Sequence, residues 1–213
     1  MILKLKNFFL DDFFSFKKED KLDQVILLVY SFFPVFLIIG TAASEIGIIF
    51  LFFFSLYFFY LNKINIFKNS LTYGLIFIYF ALLINLFFSE NFSNSFLRNF
   101  FFVKYIIFTL GTISFFSKKK FRIFFVYKIW ILTMVLFAID MYVQFFIGQN
   151  IIGIESPVKF HRVSGFMGDE LKAGSLILSL GLFLSCYLIE NKNYKNIGII
   201  LIFFFVSAIF ISG

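Results

Sequence analysis

The chain has 213 residues, of which 61% are hydrophobic and 40 are Phe, and it carries a formal net charge of +7 with a mean hydropathy of +0.96. This composition excludes a soluble domain, which cannot hide so much apolar surface, and a disordered chain, which lacks it. The positive charge lies in short clusters between apolar runs, where membrane topology accounts for it and nucleic-acid binding does not.

The fold class that follows is an all-α integral membrane protein. A span needs roughly 20 apolar residues to cross about 30 Å of hydrocarbon. Residues 1–23 hold Asp11 and Asp12 among Phe and Lys, which breaks a signal peptide and suits an amphipathic arm at the membrane surface. Seven helical spans are then expected, over about 24–44, 46–61, 71–88, 96–116, 123–147, 173–189 and 197–213. Continuous apolar runs, unlike alternating ones, exclude a β-barrel. Pro34, ten residues into the first span, is expected to kink it for packing. Cys186 is the single cysteine, so no disulfide forms within the chain.

Lysine and arginine set the orientation. Lys4, Lys6, Lys17, Lys18 and Lys21 precede the first span; Lys63 and Lys68, then Lys118, Lys119, Lys120 and Arg122, then Lys192 and Lys195 fill alternate connections. The connections between these hold only Arg98, Lys159, Arg162 and Lys172. The alternation predicts a cytoplasmic N-terminus and an external polar loop over 148–172. The last apolar run ends at Ser212-Gly213 without an anchor, which reads as the N-terminal part of a larger helical bundle.

Two charged residues, Lys104 and Asp140, stand out within the spans, where insertion of a charge costs about 2.5–3.5 kcal/mol. Their sequence positions put both roughly 10–12 Å below the outer surface, so they are expected to pair across neighbouring antiparallel helices and to shape a cavity wall. Gln144 lies one turn above Asp140 and extends the polar stripe. Arg98 opens the fourth span, and its planar guanidinium suits a phosphate. In the loop, RVSGFMGDE puts Arg162 before the small residues Ser164 and Gly165, which let the backbone turn tightly. Asp169 and Glu170 lead into the next helix as cap and first-turn acid. His161 is the only histidine and the candidate for proton transfer. No metal motif or nucleotide-binding loop is present in the sequence, so neither cofactor nor metal is expected.

The run IDMYVQFFIGQNIIGI, followed by RVSGFMGDELKAGSLI, resembles the bacterial O-antigen ligase and O-antigen polymerase family of polytopic membrane glycosyltransferases. SEIGIIFLFFFSLYFFYL and LRNFFFVKYIIFTLG are similar to that family's earlier spans, and the terminal FISG to the point where such proteins continue. The resemblance implies a multi-pass protein of the bacterial inner membrane, working in lipopolysaccharide or polysaccharide biosynthesis. It would move a glycan from undecaprenyl diphosphate, on the periplasmic side, to lipid A-core as a ligase or to a growing chain as a polymerase. It further implies a metal-independent enzyme whose later loop, with the base, lies outside these residues, so that they alone would be inactive. Substrate contacts would fall to Arg98, Arg162, Gly165, Asp169, Glu170 and Gln144. The competing expectation is a polysaccharide or small-solute transporter or flippase component, with Lys104 and Asp140 along its path.

Overall fold

The computed structural model describes residues 21–68, 70–89, 92–118, 120–155, 162–168 and 172–212. The N-terminal arm expected over 1–23 falls outside them except for its last three residues, which already belong to the first helix. Among the described residues, seven helical segments are long and apolar enough to cross a bilayer. The protein is a multi-span helical membrane protein.

In chain order the helices are α1 (Lys21–Ile39), α2 (Thr41–Asn62), α3 (Ser70–Asn85), α4 (Phe92–Phe100), α5 (Val103–Lys118), α6 (Lys120–Ile147), α7 (Ala173–Glu190) and α8 (Lys195–Ser212). A 3₁₀ turn, Leu86–Phe88, extends α3 to span length. In lipid every main-chain amide must find a partner within the protein, which is why the apolar runs become helices. Two boundaries differ from expectation. The first span ends at Gly40, whose φ of 135° no L residue adopts easily, and not near Ser44, so Glu45 lies on α2. The fourth span is two helices, because α4 and α5 are separated at Phe101 and Phe102.

The chain divides into two compact units, residues 45–123 and residues 21–44 with 124–212. In the unit 45–123, α2 and α5 pack through Leu51, Phe54 and Phe115, all buried. The Phe115 ring meets Phe54 and Phe58 edge-on, at centroid distances of 5.7 and 5.6 Å. Gly111 lets α5 approach α2 so closely that a Cβ there would overlap the Ser55 side chain. Small residues at such crossings replace the hydrophobic drive that lipid removes.

In the second unit the core is built from Met134, Phe137 and Met141 of α6, Ile177 and Leu184 of α7, and Phe205 of α8. The α7–α8 hairpin closes on small residues in the same way: Gly174 abuts Ser212, Gly181 abuts Phe205 and Gly198 abuts the Ser185 carbonyl. One π-helical turn, Ile177–Gly181, interrupts α7. Pro34 sits inside α1 and cannot donate to the carbonyl four residues back. That carbonyl, of Tyr30, accepts instead from the Trp130 indole N–H of α6 at 2.7 Å.

Candidate functional site

The polar loop is folded onto the end of α6 by three side chains. Gly148, with φ 85°, ends the helix. Asn150 then turns the chain: its Oδ1 accepts from the amides of Ile152 (3.1 Å) and Ile154 (2.7 Å), and its Nδ2 donates to the Gly165 carbonyl (3.3 Å). Gln144 is buried, and its Oε1 accepts from the amides of Ser164 (2.9 Å) and Gly165 (2.8 Å) while its Nε2 donates to the Ile154 carbonyl (3.3 Å). Gln144, expected as a substrate contact, thus uses both ends of its amide on the protein itself.

Asp140, one turn below, is also buried and accepts from the Ile151 amide at 2.9 Å through Oδ1. Among the described residues its Oδ2 has no hydrogen-bond partner, and neither does the buried Ser164 hydroxyl. Gly165 adopts φ +57°, as its place in a tight turn leads one to expect, and a Cβ there would press on Asp140, Met141 and Phe137. Arg162 is exposed on the loop. His161, Asp169 and Glu170 lie outside the described residues.

Lys104, expected to pair with Asp140 of the other unit, has a partner within its own. Lys104 donates to Glu45, and Tyr105 donates to the other oxygen of the same carboxylate. The reason is the break at Gly40: it places Glu45 on α2 and not in a connection, within reach of α5 in the same unit. Sequence reading treated Glu45 as a loop residue and missed both it and Tyr105. It also passed over Lys128, which lies inside the fifth span, is buried, and holds its ammonium over the Phe124 ring at 4.6 Å. Its position five residues after Ile123 was the available signal.

The second polar assembly belongs to the unit 45–123. The sequence FSNSFLRNF of α4 places Phe92, Phe96 and Phe100 four apart, and their rings stack at 5.9 and 5.7 Å. Ser95, Arg98 and Asn99 lie on the remaining face. At Phe101–Phe102 the ladder shifts to i→i−3 bonds, with Phe102 N–H on the Asn99 carbonyl (3.2 Å) and Lys104 N–H on the Phe101 carbonyl (3.2 Å). The Tyr79 hydroxyl meets the Phe100 carbonyl at the break (3.4 Å). Beside the break opens a cleft of about 670 Å³ lined by Glu45, Arg98, Phe102, Lys104 and Tyr105 among others. Glu45 answers the charge of Lys104, and Arg98 makes no bond or ion pair among the described residues. Among the described residues the cleft therefore carries one positive charge beyond the Glu45–Lys104 pair.

Comparison with known protein families, with curated proteins and with solved structures finds no match to this chain.

Proposed function

We propose that this protein is a glycan transferase of a bacterial plasma membrane, moving an oligo- or polysaccharide from undecaprenyl diphosphate to lipid A-core or to a growing glycan. The observation that carries the reading is the cleft at the α4–α5 break, where Arg98, with no ion pair among the described residues, adjoins the Glu45–Lys104 pair. In the transfer, an acceptor hydroxyl oxygen forms the new bond at the anomeric carbon. The bond from that carbon to the diphosphate breaks, its electron pair leaves with the phosphate oxygen, and the hydroxyl proton passes to a base or to water. A guanidinium at the departing diphosphate stabilises the charge that develops there. The resemblance of the central stretch to O-antigen ligases and polymerases supports the same reading, and lysine placement supports a cytoplasmic N-terminus with Arg98 and Arg162 on the external side.

The test is genetic. A deletion strain should lose polymeric or lipid A-linked surface glycan, and the wild-type protein should restore it while Arg98→Gln restores about a tenth or less. Full restoration by Arg98→Gln removes the carrying observation.

A second reading, a transporter or flippase component, is favoured by the broken helix, since discontinuous spans beside in-membrane charges line substrate paths in transporters. It predicts substrate flux across sealed vesicles with no new glycosidic bond formed.

A further inference from the structure

A second cleft, of about 340 Å³, adjoins the charged one and shares Arg98 and Phe102 with it. Its other lining groups are Asn85, at the end of α3, Ser89, Ser95 and Asn99, with Leu82 as an apolar wall. Its size lies within the range of about 300–1,000 Å³ usual for small-ligand pockets. The chemistry of the two clefts differs sharply. Among the described residues one is ionic, with Glu45, Lys104 and Arg98, and the other adds to Arg98 the neutral amides and hydroxyls of Asn85, Asn99, Ser89 and Ser95.

The hydrogen-bonding capacity of the neutral cleft is only partly used. Asn99 donates through Nδ2 to the Leu82 carbonyl at 3.0 Å, which leaves its Oδ1 to accept. Ser89 and Ser95 share a single hydroxyl-to-hydroxyl bond of 2.6 Å, so one of the two protons remains to donate. The Asn85 amide makes no hydrogen bond among the described residues and is exposed, so both its donors and its acceptor are open. A set of groups that both donate and accept matches a ligand whose own groups do the same. Vicinal hydroxyls are such a ligand; a second phosphate is not.

We infer that the pocket of Asn85, Ser89, Ser95 and Asn99 is a carbohydrate subsite, which holds the sugar directly attached to a phosphate bound at Arg98. Arg98, common to both clefts, marks the junction of sugar and anion, so the paired clefts read a glycosyl phosphate as a unit. The inference rests on the transferase reading for its ligand and adds where the sugar lies.

The experiment compares two lipids bearing the same phosphates, undecaprenyl diphosphate and undecaprenyl diphosphate-N-acetylglucosamine, binding to the whole protein in nanodiscs. Asn85→Leu and Ser95→Ala should each weaken the sugar-bearing lipid, Asn85→Leu by about tenfold, and leave the sugar-free lipid unchanged. Arg98→Gln should weaken both. If neither substitution discriminates between the two lipids, the subsite is overturned, and the transferase reading survives provided Arg98→Gln still weakens both. If the two substitutions discriminate but Arg98→Gln has no effect, the subsite stands and the phosphate reading of Arg98 falls. Size-exclusion profiles of each variant matched to wild type keep a folding defect from imitating either result.

Discussion

The Trp130 indole N–H bonds to the carbonyl of Tyr30, the acceptor that Pro34 leaves empty by lacking an amide hydrogen. In lipid no water could fill that position. The proline and the single tryptophan of the chain, 96 positions apart in sequence, are therefore one structural device joining α1 to α6.

Trp130→Phe should destabilise the protein in detergent by about 1–3 kcal/mol, the cost of an unsatisfied buried acceptor. In a Pro34→Ala background the restored helical amide should take over the carbonyl, and the same Trp130→Phe change should cost measurably less. Equal costs in both backgrounds, by a thermal-unfolding double-mutant cycle, would show that the two residues are not coupled.

The Glu45 carboxylate holds Lys104 and Tyr105 together. With the carboxylate 39% and the ammonium 20% exposed, the pair is only partly desolvated, so the effect of breaking it lies between surface and buried ion pairs. Glu45→Leu should cost about 1–2 kcal/mol by leaving Lys104 unpaired, and Glu45→Leu with Lys104→Met should recover part of it. A double variant no more stable than Glu45→Leu would contradict the pairing.

Gln144 anchors the polar loop through the Ser164 and Gly165 amides. Gln144→Leu removes the acceptor of both, so these amides should lose about 1–3 kcal/mol of hydrogen-exchange protection while amides at mid-α6 keep theirs. Unchanged exchange at Ser164 and Gly165 would mean that the loop is held by something else.

Two glycines within spans give opposite expectations. A methyl at Gly111 would overlap Ser55, whereas Gly74 of α3 has open space around its Cβ position. Gly111→Ala should destabilise by about 1–3 kcal/mol through overpacking, and Gly74→Ala should be neutral or stabilise by up to about 1 kcal/mol. Thermal unfolding of the two variants side by side decides it.

The spans were legible because lipid leaves an apolar run of twenty residues almost no alternative to a helix. The expected and observed segments coincide at Ile123–Ile147 and start together at Ala173. What was not legible has a common cause in local geometry that composition does not encode. The break before α2 falls at Gly40, a residue that equally suits a helix interior in lipid, and moving it by one turn carried Glu45 from a connection onto a helix. The break at Phe101–Phe102 has neither Gly nor Pro to announce it. What does show in FSNSFLRNF is a change from uniformly apolar to amphipathic, which is the signal that α4 and α5 are separate helices. For the polar loop, the placing of Gln144 one turn above Asp140 was readable from spacing and a tight turn at Gly165 from residue type, but not that the three meet. That Gln144 serves the loop's own amides, with Asn150 beside it, required the folded backbone.

The cleft at Arg98 is the centre of the functional account, and the lipids that accompany the protein out of its native membrane test it most directly. Native mass spectrometry of the wild-type protein should show a bound polyprenyl diphosphate bearing sugar, and Arg98→Gln purified in the same way should have lost it. Retention of that lipid by Arg98→Gln, or a wild-type protein that carries only ordinary phospholipid, would contradict the account.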